Sequence, residues 1–264
     1  MIDPGQLLSL TKALKHAEQP LVITGAGISV ASGIKPFRGT DEAVWSTTVM
    51  EMGTLGMFQR DPVRQWKWYL DRFNACKDAK PNPAHTALAE IDQKRWLRLV
   101  TQNIDGLHVA AGHRDVIEVH GAARKLRCSK RGCPNGAPHG TLPWDDALFA
   151  DFLATGSRDL LPRCKRCNKP IRAHVLWFDE FYTDHKDYRY EDAADWLFEA
   201  DVLLFVGTSF SVGATEKALE VAFQHNTPVW SIDPISPPPY DRITWVQAPS
   251  EEVLPAVVAS WDAA

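Results

Sequence analysis

The chain has 264 residues, 45% of them hydrophobic and 23% charged, with ten Trp and eleven Phe. That length supports one large or two small domains with a sizeable core, and the aromatic content excludes an intrinsically disordered chain. A formal net charge of −4 supplies no overall field to attract nucleic acid or an anionic membrane, although a basic protein tail would meet mild attraction.

Residues Met1-Ile2-Asp3-Pro4-Gly5 lack the basic and apolar regions of a signal peptide. The longest strongly apolar run, Val202–Val206, is far too short to span a bilayer. The expectation is a cytoplasmic protein with no membrane and no direct nucleic-acid partner. Leu7, Leu10 and Leu14 predict an amphipathic helix over residues 6–18, ended by Pro20. A buried strand, Leu21–Thr24, then runs into the motif Gly25-Ala26-Gly27-Ile28-Ser29. Further strands are predicted at Leu97–Thr101, Val116–Val119, Val202–Val206 and Pro228–Ile232, with helices at 83–92, 190–199 and 214–225. Alternation of this kind predicts an α/β protein built on a Rossmann-like, doubly wound parallel sheet. Two stretches break it. Residues 35–80 are rich in Trp, Phe and Met at helical spacing, and residues 124–173 carry paired Cys among Gly and Pro. The expected organisation is therefore a nucleotide-binding domain from 1–34, 81–123 and 174–264. A helical insertion with the cofactor loop (35–80) and a zinc-ribbon insertion (124–173) form a smaller lobe.

Glycines directly after a buried strand let the backbone approach a pyrophosphate, which makes Gly25, Ala26 and Gly27 a candidate phosphate turn; a tight connection explains them equally well. Gly207-Thr208-Ser209 offers close approach and hydroxyls after another strand. Asp233, at the end of a third, could bond ribose hydroxyls or simply make a turn before Pro234. Gln102-Asn103-Ile104-Asp105 clusters groups able to satisfy a carboxamide, or forms a polar turn with an Asp-Gly bend. His120 has the near-neutral pKa suited to taking a proton from a sugar hydroxyl, while a buried structural His is the plainer reading. Cys128, Cys133, Cys164 and Cys167 match a four-cysteine structural zinc site, whose filled coordination sphere leaves no place for a catalytic water. The fifth, Cys76, reads as a structural thiol in a helix.

Taken in order, these segments resemble the sirtuins, the NAD-dependent protein deacylases, in a bacterial-type form, from about residue 20 to about residue 235. Added to the motifs above are Gly33-Ile34-Lys35-Pro36-Phe37-Arg38-Gly39 and Val175-Leu176-Trp177-Phe178-Asp179-Glu180. The resemblance implies that Ala26, Phe37 and Arg38 belong to the cofactor loop. Gln102, Asn103 and Asp105 would hold the ribose and nicotinamide of NAD, and Gly207, Thr208, Ser209 and Asp233 its ribose and phosphates. His120 becomes the general base, and the strand from Val175 to Phe178 pairs with the peptide that carries an acyl-lysine. Asn103 and Asp105 count with His120 as catalytic, and Trp177, Asp179 and Glu180 with the peptide site. The implied reaction consumes NAD and yields nicotinamide, 2′-O-acyl-ADP-ribose and free lysine. Tyr69 and Arg72, three apart on one helix face, resemble the Tyr-x-x-Arg of the branch that removes succinyl and malonyl groups. Lys35, Ala173 and Asp179 depart from the family pattern, which usually has Pro, Pro and Gly there. The same fold could instead serve an NAD glycohydrolase, an ADP-ribosyltransferase or a non-enzymatic NAD sensor.

Overall fold

The computed structural model describes residues 2–35, 47–210 and 213–264. Among them the strands are β1 (Pro20–Thr24), β2 (Arg98–Thr101), β3 (Val116–Glu118), β4 (Gly121–Cys128), β5 (Leu142–Pro143), β6 (Ile171–Val175), β7 (Val202–Val206), β8 (Val229–Ile232) and β9 (Ile243–Val246). The α-helices are α1 (Pro4–His16), α2 (Thr47–Met52), α3 (Leu55–Arg60), α4 (Pro62–Cys76), α5 (Pro83–Lys94), α6 (Leu107–Ala110), α7 (Ala150–Thr155), α8 (Tyr190–Glu199), α9 (Gly213–Gln224) and α10 (Ser250–Ala259).

Six strands form one parallel sheet in the order β3-β2-β1-β7-β8-β9, the doubly wound arrangement expected from the alternating pattern. Both faces are covered, so every residue of β1 and β7 is buried, and this is why they read as unbroken apolar runs. Alternation along each strand divides the core. Val22, Leu204 and Val206 face α1, α5 and α10, while Leu21, Ile23, Leu203 and Phe205 face α8 and α9. Strand order reverses between β1 and β7, and a ligand crevice opens at the carboxyl ends of strands at such a switch point.

The last strand and helix were not anticipated from the pattern. β9 is four residues long and follows the triple proline 237–239, and α10 carries Pro255 in its interior, where proline removes a hydrogen bond and masks a helical signal.

Strands β5, β4 and β6 form a separate antiparallel sheet. A third core joins Phe58, Trp66, Tyr69 and Leu70 of the helical segment to Leu126, Ile171 and Ala173 of this sheet. The two stretches that interrupt the alternation thus pack on each other.

Buried histidines give the fold a defined acid limit. The His85 and His108 rings lie 4.8 Å apart and tilted by 55°, with His108 Nε2 2.9 Å from the Thr24 hydroxyl at the end of β1. Burial pushes His85 down to about 4 and His108 well below its ordinary value. Burial likewise brings His185, at the junction with the small sheet, to about 4. A histidine whose folded pKa lies below its unfolded value stabilises fully above the unfolded value, and that stability is lost as pH falls toward the folded one. The midpoint of chemical denaturation should therefore be level near pH 7 and fall progressively from pH 6.5 toward 4. A midpoint unchanged to pH 4.5 would contradict this.

Candidate active site

Two glycine turns meet at the switch point. Gly25 N–H donates to Val206 O (3.0 Å) and Gly27 N–H to Gly207 O (2.8 Å). A side chain on Gly27 would come within 2.6 Å of the Gly207 backbone, and Gly207, at φ +60°, would strike Ile28 N at 2.3 Å. Only glycine permits this approach. Beside the turns lies a pocket of about 160 Å³ lined by Gly27, Gly207, Asp233, Ser236 and Glu251. The Asp233 carboxylate accepts from the N–H groups of Ile235 (2.9 Å) and Ser236 (2.6 Å), so it shapes a turn and borders the pocket at once. Thr208 is buried, and its hydroxyl accepts from Phe210 N–H (3.1 Å); Ser209 is exposed. Phe37 and Arg38 lie outside the described residues.

The loop after β2 faces the first turn. Asn103 donates through Nδ2 to Gly25 O (3.0 Å) and to the Ser29 hydroxyl (3.2 Å), which in turn donates to Asp105 (2.8 Å). The other Asp105 oxygen accepts from Leu107 N–H (2.9 Å), and Gly106 is at φ +76°. The Asp-Gly bend and the polar cluster are therefore both present. Gln102 Nε2 is buried without a hydrogen-bond partner among the described residues, an unmet donor of the kind a bound carboxamide or ribose would satisfy. Ser29, the last residue of the Gly25–Ser29 motif, was not singled out from the sequence, yet it is the hinge of this network.

His120 sits half-buried in the turn between β3 and β4. Its Nδ1 lies 2.7 Å from Gln102 O and its Nε2 3.1 Å from the Tyr182 hydroxyl. Burial lowers its pKa, partly offset by the Gln102 carbonyl, so the imidazole is held neutral and able to accept a proton. Gly121, at φ +79°, lets the following strand pass against His174 O, where a Cβ would come within 2.2 Å.

The four cysteines converge. Their Sγ atoms all lie within 4.8 Å of one another, with Cys128–Cys167 at 3.4 Å and Cys133–Cys164 at 3.8 Å, and none forms a disulfide. A tetrahedral site with Zn–S bonds of ~2.3 Å separates its sulfurs by ~3.8 Å, so the donor set fits zinc. Lys130 N–H and Asn135 Nδ2 donate to the Cys128 and Cys164 sulfurs, the outer support that thiolate ligands need.

Tyr69 and Arg72 share the α4 face that carries Cys76. The Tyr69 hydroxyl points at Ala123 O (3.5 Å), and Ala123 N–H donates to Ile104 O in the Asn103–Asp105 loop. Burial raises the Tyr69 pKa, so it remains a neutral donor. Arg72 is half-buried with its guanidinium 5.1 Å from the Trp68 ring. Burial lowers its pKa and the Cys76 thiol opposes that; burial raises the thiol, with Asp105 adding to it and Arg72 opposing. Tyr69 is thus linked through Ala123 to the loop that carries the polar cluster.

The segment after β6 is held from within. Leu176 N–H donates to His120 O, Trp177 N–H to Glu180, and Phe178 N–H to Gly53 O. β6 ends at Val175 rather than continuing to Phe178, and a strand added along 176–178 can draw only on carbonyl groups. Glu180, expected at the peptide, turns inward: Arg172 grips both of its oxygens (2.6 and 2.8 Å) and Arg127 one (2.9 Å). Trp177 is buried with the Arg172 guanidinium 3.2 Å from its ring centre, whereas Phe178 is half exposed. Asp179 accepts from Leu55 N–H (2.6 Å) and Gly56 N–H (3.0 Å), and so caps α3. Its charge was expected to bear on the peptide; the structure commits it to a helix N-terminus, a favourable place for a carboxylate. Ala173 is buried in the small sheet.

Interlocked glycine turns at the switch point of a doubly wound sheet, with the Asn103–Ser29–Asp105 network facing them, give the chain the architecture of a dinucleotide-using enzyme. The chain belongs to the Sir2 family, whose model matches residues 25–214. It is 34% identical over 229 residues to an NAD-dependent protein deacylase of Thermus thermophilus, covering 84% of this chain and 82% of that one. To an NAD-dependent protein deacylase of Ralstonia nicotianae it is 33% identical over 249 residues, 93% of each. It also matches the NAD-dependent deacetylase sir2E of Dictyostelium discoideum at 35% identity, over 80% of this chain but only 64% of that longer protein. Among solved structures, a Sir2 homologue in complex with NAD superposes at TM-score 0.79 with 29% identity, over 97% of this chain and 94% of the other. A mutant Sir2 homologue in complex with ADP-ribose reaches 0.82 at 28%, over 97% and 96%. No helix among the described residues is long and apolar enough to cross a membrane.

Proposed function

We propose that this protein is an NAD-dependent protein-lysine deacylase, and that Tyr69 and Arg72 direct it to acyl groups ending in a carboxylate. The observation that carries the first part is the neutral His120, fixed through Nδ1 beside the Gln102-Asn103-Asp105 cluster. Deacylase relatives of Sir2 type and a Sir2 structure with a p53 peptide and NAD+ support it.

In this reading Gly25, Ala26, Gly27 and Gly207 bring backbone N–H groups to the pyrophosphate, and Phe37 and Arg38 serve it from the cofactor loop. Thr208, Ser209 and Asp233 serve the adenosine side. Gln102, Asn103 and Asp105 orient the nicotinamide and its ribose, so that nicotinamide departs as the acyl oxygen of the substrate attacks C1′. His120 then takes a ribose hydroxyl proton, and the freed oxygen attacks the acyl carbon. Val175, Trp177 and Phe178 line the peptide, and Asp179 and Glu180 hold that segment in place. Zinc, bound by Cys128, Cys133, Cys164 and Cys167, supplies structure alone.

The acidic-acyl preference follows from the α4 face. A guanidinium fork meets both oxygens of a carboxylate, and hydrogen bonds to charged groups are worth ~1.5–3 kcal/mol each before desolvation. On one peptide, succinyl-lysine should therefore be turned over with kcat/KM roughly tenfold or more above acetyl-lysine, since ~1.4 kcal/mol is tenfold. Arg72→Met should lower that succinyl-to-acetyl ratio by at least as much. A wild type that favours acetyl-lysine, or an unchanged ratio in the variant, would show that Arg72 does not read the acyl group.

A further inference from the structure

His120 offers the reaction one lone pair, and the structure shows what faces it. A carbonyl oxygen can only accept, so the 2.7 Å contact with Gln102 O places the ring proton on Nδ1 and the lone pair on Nε2. Nε2 lies 3.1 Å from the Tyr182 hydroxyl, which donates to it. The phenol is not a loose plug. Its ring lies nearly parallel to His120 (5.7 Å, 26°) and to Tyr190 at the start of α8 (5.0 Å, 18°). Tyr182 stacks on the imidazole and Tyr190 stacks on Tyr182 in turn. Burial, reinforced by Tyr190, raises the Tyr182 pKa, so the phenol remains a neutral donor.

We propose that Tyr182 relays the ribose proton to His120. The ribose hydroxyl donates to the phenol oxygen, whose own hydrogen already points at Nε2. As the ribose O–H bond breaks, its proton joins Tyr182 Oη. The original Oη–H bond breaks and a new N–H bond forms at Nε2. The ribose oxygen keeps the electron pair for its attack, the imidazole becomes the cation, and the phenol ends neutral. Hydrogen-bonded chains of this kind reinforce one another in a low-dielectric site. The relay rests on the deacylase reading, because it requires a ribose hydroxyl to be deprotonated.

The test is Tyr182→Phe in the full chain, which keeps the ring and removes only the hydroxyl. Two rates are compared with NAD and an acyl-lysine peptide: lysine release, and exchange of labelled nicotinamide into NAD. Exchange needs the first bond change at C1′ and its reversal but no base. The ratio of deacylation to exchange should fall at least ~10-fold, as general acid–base steps supply ~10²–10⁴-fold. In H₂O/D₂O mixtures the wild-type deacylation rate should depend on deuterium fraction along a curve, for two protons in flight, and the variant along a straight line. The double variant His120→Ala, Tyr182→Phe should be no slower than His120→Ala alone. A ratio within about twofold of wild type, faster deacylation, or an equal fall in both rates would overturn the relay. A wild-type chain that neither exchanges nor deacylates would overturn the deacylase reading, and the relay with it.

Discussion

Replacing His120 with Ala is expected to lower lysine deacylation by ~10²–10⁴-fold, the usual contribution of a positioned general base, while NAD binding and the fold persist. The imidazole makes two hydrogen bonds, with Gln102 O and the Tyr182 hydroxyl. Losing them costs about 1 kcal/mol each, well short of unfolding a domain of this size. The pocket beside Gly27, Gly207 and Asp233 is built from other elements. Calorimetric titration with NAD alongside a deacylation assay separates binding from chemistry. Activity within a few-fold of wild type would remove His120 from the mechanism.

Stripping zinc should have the second large effect. Structural zinc contributes ~10–16 kcal/mol of apparent binding free energy in small zinc domains, far more than a three-stranded sheet recovers alone. Here the ligands also belong to a core. Cys128, Cys133 and Cys164 are buried with Trp66, Tyr69, Phe149 and Ile171, so losing the metal loosens α4 with them. Metal analysis should find one zinc per chain. Chelation under mild denaturation should open residues 124–173 to protease while the parallel sheet resists. A folded, active preparation containing no zinc would overturn this.

What could be read from the sequence was whatever a local pattern encodes. The unbroken apolar runs of β1 and β7 announce strands buried on both faces, the Cys spacing announces a metal, and Gly25 and Gly207 mark close backbone approach. What could not be read depends on partners far apart in the chain. Tyr182 reaches His120 across 62 positions, Asp179 reaches Leu55 across 124, and Glu180 reaches Arg127 across 53. Nothing in a local window separates an acidic side chain at a peptide groove from one gripped by two buried arginines. β9 and α10 were hidden differently, by brevity and by Pro255. Ser29 was within a recognised motif, but its bridge between Asn103 and Asp105 exists only once β1 and β2 are adjacent.

The most direct measurement is mass spectrometry of the products formed from NAD and one acyl-lysine peptide. The account predicts nicotinamide, 2′-O-acyl-ADP-ribose and deacylated peptide in equal amounts, with no reaction when either substrate is omitted. Free ADP-ribose with the acyl group still on the peptide would instead show water attacking C1′, and a peptide that gains ADP-ribose would show transfer to protein; either result would contradict the deacylase account.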